Sequence, residues 1–510
     1  MGLQYRAAGF IFFLLVAAGG VVACTGSTSS VSSTLPAVRV TRGAASTPIS
    51  HVIVVIQENR SFDNLFSTFN GANGTTVGGA EPMSSPVASF CANQSPPQPV
   101  ITYPTTVPLT EVDLQGNGFP GNFDHNQDLA HDYRHGYLLD CDSAANQPNA
   151  SNPCRNDGFD LSYSGANGSG SGSGHPTCTY TYQYVNPSDI QPYWTLAQQY
   201  VLADNAFQTQ GSESFTAHQA LIAGGTQINA TSSIIDDPSY FPWGCDARSP
   251  GPTNEGTVTN LLTIYGQYEG FKGPFPCLTY PNGTIRDKLD GAGVSWKFYA
   301  DKVYPWYSKG NDGPGIWSAF DAIQNVRYSK EWGTKVTFKD TKIFADIQDG
   351  RLPAVSWVTP DAANSDHPAE GKDTGPSWVA SIVNAVGTSK YWKSCAIVVL
   401  WDDWGGYYDH VTPPFYDDQG GLGFRFPMII ISPYVQPHVE HTQYETTSVL
   451  RFIENNWGLG TLGQEDKRAT SIGTAFNFSQ SPRPFQTIPA KYSRRFFLDQ
   501  KPSGVPPDSE

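Results

Sequence analysis

Two short stretches of the chain concentrate hard oxygen donors. One is Glu58-Asn59-Arg60-Ser61-Phe62-Asp63; the other is Asp402-Asp403-Trp404-Gly405-Gly406-Tyr407-Tyr408-Asp409-His410. Carboxylates a few Å apart cannot all stay ionised without a cation between them. Glu58, Asn59, Asp402 and Asp403 together offer a donor set for one divalent metal ion, and oxygen ligands admit Mg, Mn, Ca or Zn. A third stretch, Gly211-Ser212-Glu213-Ser214-Phe215-Thr216-Ala217-His218-Gln219, brings three hydroxyls. A hydroxyl next to a metal loses its proton more readily and becomes a nucleophile. Where this stretch opens a helix, free N–H groups favour an anion such as phosphate. Histidine titrates near neutrality and suits a general acid; His131, His218, His367 and His410 are the candidates. Taken singly, each feature also reads as a helix cap or a solvated loop. Two carboxylate stretches at strand ends shift the balance toward a site.

Such groups need elements to aim them. Val52–Ile56, Ala396–Leu400 and Met428–Ile431 are continuous apolar runs, typical of strands covered on both faces. Helical patterns accompany them at Tyr193–Tyr200, Ser377–Ala385 and Thr447–Asn455. The alternation predicts an α/β fold with a doubly wound, mostly parallel sheet sandwiched by helices. In such folds ligands bind beyond the carboxyl ends of the strands. Both carboxylate stretches follow those ends directly. The catalytic domain is expected over residues 49–495, with loop-rich insertions at about 71–174 and 238–288 and a tail at 496–510.

The 510 residues are 39% apolar, enough for a large core, and 50 Gly and 39 Pro predict many loops. The net charge of −15, without a basic cluster, argues against nucleic-acid binding. Arg6 followed by the uncharged, mostly apolar stretch Ala7–Ala23 predicts an export signal over residues 1–23. Its exit, Val21-Val22-Ala23-Cys24, resembles a bacterial lipobox, which implies a lipid on Cys24 and attachment to a membrane surface. Residues 24–48 read as a Ser/Thr-rich tether. The expected location is the bacterial cell envelope or the outside of the cell. Cys395 lies in a strand pattern and is expected as a free core thiol. Cys91, Cys141, Cys154, Cys178, Cys245 and Cys277 lie in loop-like segments of an exported chain, so disulfides are expected. Cys245–Cys277 is the preferred pair, because both fall in one insertion.

The motif Glu58-Asn59-Arg60-Ser61-Phe62-Asp63 is similar to the opening motif of the phosphoesterase family that contains bacterial phospholipases C, plant non-specific phospholipases C and a group of bacterial acid phosphatases. Further matches follow in order: Pro192 through Ala197, Ala203 through Phe207, Ser214-Phe215 through His218-Gln219, Asp366-His367-Pro368, Asp402 through His410, and Gly423 through Tyr434. The resemblance covers about residues 49–460. It implies an alkaline phosphatase-like fold, a phosphate ester substrate, one divalent metal, and a Ser nucleophile that forms a phosphoseryl intermediate. Aligning Ser-Phe-x-x-His-Gln puts that nucleophile at Ser214. Glu213 and Ala217 depart from the Gly and Asn frequent in the family, which keeps Ser212 and Thr216 open. The resemblance points to His131 and His367 as the proton donors, ahead of His218 and His410. Asp402-Asp403 resembles the acid phosphatase branch, whereas Gly405-Gly406 is closer to the phospholipase side. An acid phosphatase-like phosphomonoesterase therefore leads, with phospholipase C as the alternative. A non-catalytic surface lipoprotein, binding sugars or phospholipids through its 13% aromatic residues, is a third reading. The intact quartet Glu58, Asn59, Asp402 and Asp403 argues against it.

Overall fold

The three apolar runs become neighbouring strands at the centre of one sheet. The computed structural model describes residues 43–120, 128–142, 148–149, 151–164, 174–238, 245, 258–263, 268–274, 277–301, 316–368, 371–416 and 421–504. The expected export signal, Cys24 and most of the tether lie outside the described residues. The sheet contains β1 (His51–Gln57), β2 (Val201–Ala203), β3 (Trp296–Ala300), β4 (Val336–Phe338), β5 (Val355–Val358), β6 (Cys395–Trp401), β7 (Met428–Ile431) and β8 (His438–Glu440). Their order is β4-β3-β5-β1-β6-β7-β2-β8. All neighbours pair in parallel except β7, which is antiparallel to β6 and β2. β5, β6 and β7 are buried along their whole length, and Val52–Ile56 of β1 is fully buried. Each such Val, Leu or Ile contributes about 1.5–3 kcal/mol by leaving water.

Helices cover both faces, as the two-sided burial requires. α1 (Phe62–Phe66) follows β1, with Ser61 as its N-cap. α2 (Gln191–Gln199) packs with α4 (Gly375–Gly387), and α3 (Ser214–Ala223) packs with α5 (Thr447–Trp457). This is the expected α/β architecture with a mostly parallel sheet. The register sets up the chemistry: Gln57 pairs with Trp401, so Glu58 and Asp402 leave the sheet side by side.

The segment after α1 is more than surface loop. It holds an antiparallel pair, Val77–Ala80 with Thr105–Pro108, and a helix at Ser85–Ala92. Its aromatic residues Tyr137, Phe159 and Tyr182 build a second core with Trp404, Tyr408 and Phe424. Cys91–Cys178 and Cys141–Cys154 staple that core, and Cys245–Cys277 is the pair expected from the sequence. Cys395 is a buried free thiol whose pKa burial pushes up. No helix among the described residues is long and apolar enough to cross a membrane.

Candidate active site

Glu58, Asn59, Asp402 and Asp403 are all fully buried just beyond the adjacent ends of β1 and β6. Asn59 takes a left-handed φ of 57°, which Asn tolerates better than most residues. That turn lets its backbone N–H donate to Asp402 Oδ1 at 2.9 Å, and the Asp403 N–H donates to the same oxygen at 2.9 Å. The Asn59 amide Nδ2 lies 3.2 Å from His131 Nε2, while its Oδ1 has no hydrogen-bond partner. A buried amide oxygen without a partner is costly, and a cation ligand satisfies it. Gly405 and Gly406 carry the chain away from Asp403 with φ of 59° and 70°. A Cβ at Gly405 would lie 2.3 Å from Asn59 O, and one at Gly406 would lie 2.5 Å from Leu129 Cβ. Glycine is what lets this loop pass between Asn59 and the segment bearing His131.

Ser214 is the first residue of α3 and is buried. Its Oγ donates to Asp402 Oδ2 at 2.5 Å and lies 3.5 Å from Asp403 Oδ2. The competing hydroxyls are otherwise engaged. Ser212 Oγ donates to Asp236 Oδ1 at 3.2 Å and accepts from the Asp236 N–H at 2.8 Å, and Thr216 Oγ1 donates to Glu213 O at 2.9 Å. The helix N-terminus differs from the sequence expectation. The Phe215 N–H is not free for phosphate, because Asp237 Oδ1 accepts it at 2.8 Å. Glu213 is buried beside it, and burial, then the charges of Asp237 and Asp236, push its carboxyl well up.

The four histidines separate into different settings. His131 Nδ1 lies 2.6 Å from Leu129 O, so Nδ1–H donates there and Nε2 faces Asn59 and, at 3.8 Å, Asp403 Oδ2. His218 sits one turn beyond Ser214. Its Nε2 is 3.3 Å from Glu58 Oε2 and 3.7 Å from Asp402 Oδ2, and ligand atoms of these three residues lie within 4.8 Å of one another. The residue expected as a proton donor thus stands where a metal ligand would also fit. His367 is buried with its ring 5.9 Å from that of Trp317, and it is not part of the 4.8 Å group. Its neighbour Asp366 accepts from Tyr193 Oη at 2.9 Å and Trp401 Nε1 at 3.0 Å. Burial pushes the Asp366 carboxyl up to about 6, against the pull of Arg60.

His410 belongs to another cluster, so the structure does not bring it to Ser214. Its Nδ1 is 2.6 Å from Asp63 Oδ2 and its Nε2 is 3.1 Å from Asn73 Oδ1. Arg425 grips Asp409 at 2.8 and 3.0 Å and reaches Asp63 at 3.4 Å. Burial lowers the His410 pKa, but the Asp63 hydrogen bond and the charges of Asp63 and Asp409 outweigh it and leave the pKa raised. The sequence reading missed this unit, although Asp63, Asp409 and Arg425 all stand inside the matched motifs.

A hydroxyl, three carboxylates, an amide oxygen and an imidazole, gathered beyond the ends of neighbouring parallel strands, fit a metal-dependent hydrolase. The chain belongs to the Phosphoesterase family, which matches residues 49–460, and it hydrolyses phosphoric esters. The non-catalytic reading is thereby set aside. The chain is 24% identical over 481 residues to phospholipase C B of Mycobacterium tuberculosis strain H37Rv, covering 86% of this chain and 79% of that protein. It is 24% identical over 499 residues to a non-hemolytic phospholipase C of Burkholderia pseudomallei, covering 86% of this chain and 61% of that protein. Among solved structures, a protein in the alkaline phosphatase superfamily from Vibrio parahaemolyticus aligns at 14% identity and a TM-score of 0.30, over 54% of this chain and 63% of that one. That structural likeness is too low to bear on function.

Proposed function

We propose that the protein is a phospholipase C that uses Ser214 as its nucleophile. The observation that carries this reading is the 2.5 Å contact from Ser214 Oγ to Asp402 Oδ2 inside a buried group of acids. Glu58, Asn59, Asp402, Asp403 and His218 would hold one divalent metal, which lowers the pKa of a nearby hydroxyl and offsets charge on phosphoryl oxygens. Asp402 holds Ser214 Oγ by its hydrogen bond and fixes the direction of attack. Ser214 attacks phosphorus in line, the ester P–O bond breaks, and a phosphoseryl enzyme forms. His131, anchored through Leu129 O, gives a proton from Nε2 to the leaving alkoxide, which departs as diacylglycerol. Water then hydrolyses the phosphoserine and frees the phosphorylated headgroup. His367 is the second candidate for proton transfer.

The names of the curated relatives support a phospholipid substrate. The Asp402-Asp403 pair supports a second reading, the phosphomonoesterase. Rates on p-nitrophenyl phosphorylcholine and p-nitrophenyl phosphate separate the two: the phospholipase reading expects the diester to be cleaved faster, and a preference for the monoester reverses the order. Acid quench during turnover is expected to leave phosphate on the peptide Gly211–Gln219. A full rate in Ser214→Ala with no phosphopeptide would replace the covalent route by attack of water. The enzyme is also proposed to be exported and tethered through lipid on Cys24. Cys24→Ala is expected to move it into soluble fractions or leave it unprocessed, and unchanged detergent partitioning refutes the anchor.

A further inference from the structure

One buried acid belongs to neither acidic cluster of the site. Asp140 is fully buried at the end of the short helix Leu138–Asp140, next to the Cys141–Cys154 disulfide. No lysine or arginine among the described residues pairs with it. Its Oδ2 accepts from Trp404 Nε1 at 2.9 Å, and its Oδ1 accepts from Ser162 Oγ. Both partners are buried as well. A buried indole N–H needs an acceptor, but a backbone carbonyl would serve at a lower cost than a side-chain acid. The position of Trp404 supplies a reason for the acid. Trp404 stands between Asp403 and Gly405, and Asp403 Oδ1 accepts the Gly405 N–H at 2.7 Å. The indole is thus rooted in the turn that aims Asp403. Its ring meets that of His131 edge-on at 6.1 Å, and it packs on Tyr137 at 6.3 Å and Phe424 at 5.3 Å. Asp140 also closes the segment that His131 opens: Asp132 caps the turn Tyr133–Tyr137, which runs straight into Leu138–Asp140. Burial pushes the Asp140 carboxyl well up, against the hydrogen bonds of Ser162 and Trp404 and the charge of His131. The group therefore acts through its hydrogen bonds more than through a full charge.

We propose that Asp140 is a positioning residue of the catalytic centre: by gripping Trp404 it holds the Asp403 carboxylate and the His131 ring in register with each other. Partners one step removed from metal ligands govern metal affinity or rate by about 10–100-fold, and a reacting group displaced by about 1 Å loses a similar factor. Ser162 fixes the other oxygen of Asp140 and so keeps the carboxyl turned toward the indole. The proposal rests on the roles given above to Asp403 and His131, and it holds for either substrate.

The test uses the purified full chain. Steady-state rates are measured on p-nitrophenyl phosphorylcholine or p-nitrophenyl phosphate, whichever the wild type cleaves faster. The chelator-stripped protein is titrated calorimetrically with manganese chloride. Asp140→Leu and Trp404→Phe each break the bond. Each is expected to lower kcat at least about tenfold with KM within about twofold, and to weaken manganese binding at least about fivefold. The double variant is expected to lose little more than either single one, since both remove the same bond. Asp140→Asn, whose amide can accept from the indole and donate to Ser162 Oγ, is expected to recover most of the loss. Single variants that unfold at lower urea, yet keep wild-type kcat and manganese affinity, overturn the proposal and leave the bond a structural one. Asp140→Asn as slow as Asp140→Leu also overturns it, by assigning the effect to charge. Should Asp140→Leu fail to fold, Trp404→Phe decides on the same readings. A wild type that binds no manganese overturns the metal centre and this proposal with it, whereas wild-type binding that Trp404→Phe leaves unchanged overturns this proposal alone.

Discussion

Two buried acidic clusters hang from the one loop that follows β6, and they solve the same electrostatic problem in opposite ways. Asp409 and Asp63 are matched from within: the Arg425 guanidinium binds both, and His410 closes the group. Asp402 meets a serine hydroxyl, two backbone N–H groups and an imidazole, but among the described residues no guanidinium or ammonium. Buried charge is expensive without a counter-charge, so the first cluster carries one of its own in Arg425, and the second is the better candidate for a cation from solution. Acid content alone therefore does not mark a metal site. The presence or absence of an internal counter-charge does, and adjacent stretches of one motif fall on either side of that line.

The contrast is sharpest in the variants that remove each cluster's key group. Ser214→Ala is expected to lower kcat on the order of a thousandfold or more with little change in KM. Asp402→Asn and Glu58→Gln are expected to cut turnover at least about a hundredfold and to lower bound metal. Urea unfolding midpoints near wild type in these variants would confirm that the first loss is chemical. Full activity after exhaustive chelation would erase the distinction between the clusters. Next in size, Arg425→Met strands two buried carboxylates and is expected to cost about 3–5 kcal/mol in urea denaturation, with metal content unchanged in the folded fraction. A variant of normal stability that gains a metal would make the clusters equivalent.

His410→Gln is the mildest, expected to leave turnover within about threefold, since the ring is tied to Asp63 rather than to the reacting groups. Its effect on stability has a sign. The raised pKa means that protonated His410 stabilises the fold fully below its ordinary value near 6.5, and that this contribution is lost as pH rises through the higher folded value. The stability gap between wild type and His410→Gln is thus expected to shrink from pH 6.5 to pH 8.5. A gap that widens over that range rejects the pairing with Asp63. The Asp409 carboxyl, pushed up to about 6 by burial, titrates below this window.

The adjacent burial of Glu58, Asn59, Asp402 and Asp403 was legible in sequence because each follows a long strand buried on both faces. The same reading missed β2, since Val201-Leu202-Ala203 runs on from the helical pattern of α2 without a break. It missed β3 because Lys297 interrupts the apolar run of Trp296-Lys297-Phe298-Tyr299-Ala300. The second core was hidden too, its aromatics being scattered through loops with no period. The closeness of His218 to Glu58 was not readable from its residue type. Nor does anything local announce that Asp237, well downstream, caps the N-terminus of the helix that Ser214 opens.

The tight passage at Gly405 and Gly406 bears on how the protein tolerates change. A mutational scan is expected to mark these glycines as intolerant as the proposed metal donors, yet for the opposite reason: the donors fail by losing an oxygen, the glycines by gaining a carbon. Added metal tells the two failures apart. Excess divalent ion restores part of the activity of a weakened donor variant by mass action, whereas no concentration of it restores Gly405→Ala, whose new methyl lies against the Asn59 carbonyl.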